Sequence, residues 1–384
     1  MKILHTVSSY YPSIGGMQEV VRELSERLVR LGHDVTVMTS KHPRRQTQLL
    51  NGVKIVDFDL AGGLVQGFRG NDYDACLQFL KNSNFDIVVN FAAQQWATDV
   101  MIDKLVLIKG KKVFVPTGFS ALYDPKFASY FSQMKNWLHH YDMNVFLSDD
   151  YRDVNFSKDC GVTKRILIPN GAGHEEFLVP SSTLPFPVHQ NLILLVGNHT
   201  GQKGHVAAMD IIRLSKLKDL TLLIIGEKNF CARCFLSCHL RAFFYNLLFK
   251  MKGVKKNILL RSLPRKEVLS AYHQAKLFLF PSKIECSPIV LFEAMASKTP
   301  FLSSQAGNAS EIAQWSGSGE ILPSFQVADN TYIHLKESVE HFDRLLSDEA
   351  KLSQMSEKGF LVWKERFTWD QIARKYEELY RSLL

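Results

Sequence analysis

No run of apolar residues in this chain approaches the ~20 that a spanning helix needs, so no transmembrane segment is expected. The opening stretch "MKILHTVSSYYP" has too short an apolar run, and no small-residue cleavage site, for a secretory signal. Cysteine is scarce: six residues, at 76, 160, 231, 234, 238 and 286, in no spacing that reads as a disulfide framework. That usage fits a reducing cytosol. Low-complexity tracts and short-period repeats are missing as well. No G-x-G-x-x-G follows a strand with an acid about twenty residues on, which argues against a nicotinamide dehydrogenase. Acidic residues are in deficit, leaving a net charge of +8 that suits anionic partners such as nucleotides or phospholipid headgroups.

What is present is a globular composition, 46% apolar and 22% charged, over 384 residues, too long for one ordinary core. Short buried strands alternate with helical periodicity. "KILHTVS" leads through "YYPSIGG" into a helix carrying Val20, Val21, Leu24 and Leu28, and "GHDVTVMTS" is the next strand. "VKIVDFDL", "FDIVVNFA", "KKVFVPTG" and "MNVFLSDD" continue the series. The proline-rich stretch 179–190 reads as a linker, after which the alternation restarts with "NLILLVGN". Such a pattern predicts parallel sheets with helices on both faces, a Rossmann-like domain repeated. The expected division is residues 1–180, residues 181–365, and a C-terminal helix over 366–384 packing back on the first domain.

Ligands of open α/β sheets bind where strands run into helices, and three such loops carry unusual residues. In "SIGGMQEVV", Gly15 and Gly16 open a helix with bare backbone N–H groups, a place for a phosphate or sugar or simply a tight turn. In "VGNHTGQKGH", Gly197, Gly201 and Gly204 surround Lys203; no Ser or Thr follows the lysine as a Walker A loop requires, leaving a glycine-rich anion site with one cation. The third is "SKIECSPIVLFEAMA". It sets Glu285 in a loop before Pro288 and Glu293 inside an apolar helix, where a carboxylate is costly unless something satisfies it. A carboxylate at such a loop can accept both vicinal hydroxyls of a ribose.

"ECSPIVLFEAMA" after a strand ending in Pro-Ser resembles the E-x7-E motif of the GT-B glycosyltransferases of family 4. The likeness runs along nearly the whole chain, through the N-terminal glycine pair, "GHDVTV", "ILIPNGAGHEEF", "LVGNHTGQKGH" and the closing "FTWDQIARKYEELY". It implies two Rossmann-like domains facing each other across a cleft. It also implies retaining transfer of a sugar from a nucleotide-sugar donor to a glycan or lipid-linked acceptor, in surface polysaccharide or lipopolysaccharide biosynthesis. By that resemblance Glu293 holds the ribose hydroxyls, Glu285 faces the donor sugar and Lys203 meets the diphosphate. Gly15 and Gly16, Gly197 and Asn198, and the turn Ser287, Pro288 and Ile289 line the donor, with Glu285 and Lys203 as the catalytic pair. No metal and no other cofactor is implied, and no Asp-x-Asp set stands at a strand end; Asp149 and Asp150 read as helix-start acids. A cytoplasmic enzyme, peripheral on an anionic membrane face and without nucleic acid, is the expectation.

Departures from the family pattern are equally specific. Asn198 stands where an arginine often follows the loop glycine, so either His199, Arg265 or another basic group compensates, or donor binding is weaker than usual. A histidine usual after the "DIV" strand is missing, leaving Asn90, Gln94 or Gln95 to contact sugar or acceptor. Residues 228–256 carry seven Lys or Arg and no acid. Cys231, Cys234, Cys238 and His239 invite a zinc reading, but structural zinc needs four ligands and no second pair is near, so an apolar cysteine stripe is the expectation. Leu236, Leu240, Phe243, Phe244, Leu247 and Leu248 share a helical face that either covers the sheet or meets an anionic membrane. Two competing functions share the fold: a catalytically weakened sugar-nucleotide binder in an assembly complex, and a nucleotide-sugar epimerase.

Overall fold

The computed structural model describes residues 1–178, 184–186, 191–227 and 231–384. The linker expected over 179–190 therefore lies outside the described residues, apart from 184–186. The chain forms two compact units, Met1–Asn170 with Trp369–Leu384, and Gly171–Thr368. The division falls at 170/171, earlier than the expected boundary at 180. Gly171 opens the stretch in which Ala172 bridges Thr368 and donates its N–H to Phe367 O at 3.0 Å, which ties it to the second unit.

The first unit holds strands β1 (Lys2–Thr6), β2 (Asp34–Ser40), β3 (Leu49–Leu50), β4 (Val53–Phe58), β5 (Ala61–Gly63), β6 (Gly67–Arg69), β7 (Ile87–Phe91), β8 (Lys111–Val115), β9 (Met143–Phe146) and β10 (Arg165–Leu167). Eight of them form one sheet in the order β10-β9-β8-β7-β1-β2-β4-β3, parallel except for the β3–β4 edge. β1, β2 and β7 are buried on both faces, as strands of a parallel sheet covered by helices are. Helices α1 (Gly16–Arg30), α2 (Tyr73–Asn82), α3 (Trp96–Asp99), α4 (Ala128–His140) and α5 (Arg152–Asp159) connect them.

In the second unit, β11 (Leu192–Val196), β12 (Asp219–Ile225), β13 (Lys255–Arg261), β14 (Leu277–Phe280), β15 (Phe301–Ser303) and β16 (Gly319–Ile321) order as β13-β12-β11-β14-β15-β16, all parallel. This is the doubly wound order, reversing between β11 and β14. β17 (Ser324–Val327) and β18 (Asn330–Ile333) make an antiparallel hairpin. The helices are α6 (His205–Leu214), α7 (Ala232–Met251), α8 (Arg265–Gln274), α9 (Ile289–Ala296), α10 (Ala309–Ser316), α11 (Leu335–Ser347) and α12 (Glu349–Arg366).

The last helix, α13 (Trp369–Leu383), belongs to the first unit and packs on α1. It buries Trp369, Ile372, Ala373, Tyr376, Leu379 and Tyr380, the i, i+3, i+4 stripe of an amphipathic helix. Arg27 pairs with Asp370 at 3.2 Å, His33 with Glu377 at 2.9 Å, and Tyr380 Oη lies 3.4 Å from the buried His5. Among the described residues no helix is long and apolar enough to cross a membrane.

Candidate functional site

The reversal between β11 and β14 places two loops side by side, and Lys203 and Glu285 meet there. Lys203, from the loop after β11, donates to Glu285 Oε1 at 2.7 Å; Glu285 stands in the loop after β14. Ser282 Oγ donates to the same oxygen at 2.7 Å, so both donors share Oε1 and neither uses Oε2. Gly204 makes the approach possible. Its φ of +71° is left-handed, and a Cβ there would stand 1.9 Å from Pro281 O. Gly197 likewise lets the Lys203 stem lie against the backbone, since its Cβ would meet Lys203 Cγ at 3.1 Å.

Glu293 sits on α9, only 6% exposed, among buried Leu291, Phe292, Ala294 and Met295. Its burial is satisfied on both oxygens: Arg265 lies 2.6 Å from Oε1, and Tyr272 Oη donates to Oε2 at 3.0 Å. Arg265 also grips Glu176 at 2.5 Å, and burial and the Glu293 charge together hold the Tyr272 phenol well above its ordinary pKa. A carboxylate has about four lone-pair sites, so two protein donors leave room for two hydroxyls. Pro288 immediately precedes α9 and Ile289 begins it, while Ser287 accepts from Asn308 Nδ2 at 3.2 Å.

Neither expected substitute for the missing loop arginine takes that role. His199 is 1% exposed, and burial lowers its pKa, so it brings no charge at neutral pH. Arg265 is committed to Glu176 and Glu293. Asn198 is a brace, its Oδ1 accepting the Glu227 N–H at 3.1 Å. The cysteine reading is also corrected in part. Cys238 is buried, but Cys234 and Cys238 face His199 and His205, at 3.8 Å and 4.0 Å, so a second ligand pair does stand beside them. The apolar stripe of α7 does not cover the sheet: Cys238, Ala242 and Phe249 do, while Leu236, Leu240, Phe243, Phe244 and Leu247 are exposed.

In the first unit the order reverses between β1 and β7, and Gly15 and Gly16 stand in the loop after β1. Gly15 is extended and Gly16 starts α1 with nothing within 4 Å of an added Cβ. Ser8 N–H donates to Gln95 Oε1 at 3.0 Å across this reversal. Asn90 is not available to a ligand: it is fully buried, donates to Thr6 Oγ1 at 2.8 Å and accepts from Tyr141 at 2.9 Å. Gln94 is held at a φ of 61°, and Ala92, Thr117 and Phe119 also have positive φ in the loops after β7 and β8. Such strain is concentrated at ligand-facing loops. Two carboxylates that the sequence reading missed lie behind them. Asp99 accepts from Tyr130 Oη at 2.8 Å and Leu64 N–H at 3.0 Å, Asp153 from Gly118 N–H at 2.8 Å, and burial raises both to a pKa of about 6. Asp149 and Asp150 precede α5, where Asp150 accepts from Asn155 Nδ2 at 2.8 Å.

Comparison with known proteins places this geometry among relatives. The glycosyl transferases group 1 model matches residues 181–362, and the glycosyltransferase family 4 model matches residues 14–175. No curated protein matches the chain. Among solved structures, sucrose-phosphate synthase from Thermosynechococcus elongatus is similar with a TM-score of 0.78 at 17% identity, covering 100% of this chain and 98% of its own. Anabaena HepE in complex with UDP and glucose gives 0.72 at 14% identity, with 100% of both chains covered. WaaG, a glycosyltransferase involved in lipopolysaccharide biosynthesis, gives 0.62 at 16% identity, covering 98% of this chain and 99% of its own. The shared fold is GT-B, with two Rossmann-like domains.

Proposed function

The chain belongs to the group 1 glycosyltransferases of GT-B fold, and from that premise we propose that it transfers a hexosyl group from a nucleotide sugar with retention of configuration. The observation that carries the reading is the meeting of Lys203 and Glu285 at the β11/β14 reversal, with Glu293 held one helix away. Lys203 exchanges its Glu285 partner for the diphosphate and stabilises the charge that grows on the leaving group. Glu285, with Oε2 unused, positions the sugar, and Glu293 takes the ribose hydroxyls on the lone pairs that Arg265 and Tyr272 leave. The Ser287–Ile289 turn and the Gly197–Asn198 backbone line the donor. Catalysis rests on positioning and on charge, with no metal in the step. HepE was solved with UDP-glucose, which supports a uridine nucleotide as the first donor to try.

The acceptor is proposed to be a lipid-linked glycan of a surface polysaccharide or lipopolysaccharide. Support comes from α7, where Leu236, Leu240, Phe243, Phe244, Leu247 and Met251 are all exposed beside Arg233, Lys250 and Lys252. An exposed apolar row flanked by cations is what supports contact with an anionic membrane surface, and a peripheral position on the cytoplasmic face is proposed with it.

The test is ligand-induced thermal stabilisation by UDP, GDP, ADP and CDP and their sugar conjugates, on wild type, Lys203→Gln and Glu293→Gln. At about a hundred times Kd a ligand stabilises by roughly 2.7 kcal/mol. One nucleotide should shift the wild type and lose most of its shift in both variants. No shift in the wild type with any nucleotide sinks the reading; a shift without sugar transfer or hydrolysis favours the non-catalytic binder instead.

A further inference from the structure

Behind the glycine loop that carries Lys203 lies a cluster that donor binding does not use. His199 and His205 come from that loop and the start of α6; Cys234 and Cys238 come from successive turns of α7. The four ligand atoms all lie within 4.8 Å of one another. We propose that His199, His205, Cys234 and Cys238 bind one Zn²⁺ as a closed structural site that fastens α7 to the glycine loop.

The dimensions fit. Tetrahedral zinc with Zn–S of about 2.3 Å and Zn–N of about 2.0 Å separates sulfur from nitrogen by about 3.5 Å. Cys234 Sγ stands 3.8 Å from His199 Nδ1 and Cys238 Sγ 4.0 Å from His205 Nδ1, so these two pairs need shifts of a few tenths of an ångström, while the wider separations, up to 4.8 Å, contract by about 1 Å on closure. The orientation of His205 is already that of a metal ligand. Its Nε2 lies 3.0 Å from Gly197 O, and the N–H it donates there leaves the Nδ1 lone pair facing the cluster. Metal-bound histidines are characteristically held this way by a backbone carbonyl. His199, His205 and Cys238 are nearly fully buried, and Cys234 is half-buried. A cavity of about 530 Å³ lined by His205, Cys234, Cys238, Gly201, Gly204 and Lys283 gives the ion a way in.

Charge balance favours the ion as well. Binding releases one proton from each thiol, so two thiolates and two neutral imidazoles surround Zn²⁺ with no net charge left in a buried site. Two nitrogen and two sulfur ligands select zinc over magnesium or calcium, and four protein ligands leave no open position for a reacting water. The ion is therefore structural. Its position fixes the loop between Gly197 and Gly204, and with it the backbone from which Lys203 projects.

The full-length chain should carry about one zinc per molecule by elemental analysis and native mass spectrometry. After chelation, Co²⁺ should give thiolate charge-transfer and tetrahedral d–d bands. Cys234→Ser with Cys238→Ser should abolish both, while Cys160→Ser, half-buried in the first unit, keeps them. Chelation should lower the unfolding temperature of the wild type and leave the double variant unmoved. The proposal fails if the wild type stays metal-free with excess Zn²⁺ and shows only the spectrum of hydrated Co²⁺. A disulfide mapped by peptide mass spectrometry to Cys234–Cys238 overturns it too. The cobalt spectrum of the wild type decides the matter even where the double variant does not fold.

Discussion

Gly16 and Gly204 both stand where the loop after a unit's central strand enters a helix, yet only one is demanded by the protein's own packing. An added Cβ at Gly204 would meet Pro281 O at 1.9 Å on a left-handed backbone, while at Gly16 it would meet nothing within 4 Å. A glycine that the fold requires says little about ligands. One that the fold leaves unexplained marks space kept for something else. The carboxylates differ in parallel: in the second unit Glu285 and Glu293 are paired with Lys203 and Arg265. In the first, Asp99 is held by the neutral Tyr130 Oη and Leu64 N–H donors, and Asp153 chiefly by the Gly118 and Val154 N–H groups. Cationic partners can be traded for a bound anion; backbone donors cannot.

The largest effect expected from breaking this comparison is at Gly204. Gly204→Ala combines a left-handed alanine with a backbone clash and should cost about 2–5 kcal/mol in denaturant unfolding. A loss below ~1 kcal/mol would show that the loop relaxes freely. Next come the buried aspartates. Their folded pKa of about 6 lies above the ordinary 3.8, so between those values the folded state holds more protons than the unfolded. Stability from these groups is therefore greatest at low pH and is lost as pH rises from about 4 to about 6, by up to roughly 3 kcal/mol each. Asp153→Asn should flatten that part of the stability–pH curve, measured against wild type; an unchanged slope would mean the group titrates normally. The smallest stability change is expected at Gly16→Ala, within about 1 kcal/mol and on the stabilising side. Nucleotide-sugar affinity should nonetheless fall roughly tenfold, or 1.4 kcal/mol. If affinity holds, the space above Gly16 is not where a ligand comes.

Much of this was legible in the sequence because it is local. Strand and helix periods, the glycine loops and the spacing from Glu285 to Glu293 all follow from residues close in the chain. What the sequence could not show is what long-range packing supplies. Arg265 and Tyr272 lie on another helix from Glu293, and nothing in their spacing predicts that they hold it. His199 is a candidate for the diphosphate in the sequence because it flanks Asn198, but the loop after β11 buries it. Asn90 is a candidate in the sequence because it lies in the stretch where a histidine is missing, but Tyr141, far along the chain, closes it off. The faint signal for the cysteine–histidine cluster was its two short spacings, since Cys234 and Cys238 share one face of a helix. Which side of α7 faces the sheet was equally undecidable, because both sides of that helix carry apolar residues.

The return of α13 to the first unit has a consequence for synthesis on the ribosome. All of residues 171–368 emerge before the segment 369–384 that completes the earlier-made unit. At ~5–20 residues per second, translating those roughly 200 residues takes about 10–40 s. Throughout that interval His5 lacks Tyr380, Arg27 lacks Asp370, and the side of α1 that α13 will cover is bare. The unit begun first is thus the one finished last, and a nascent chain stalled before residue 369 would carry a whole second unit beside a first unit open to chaperones and proteases.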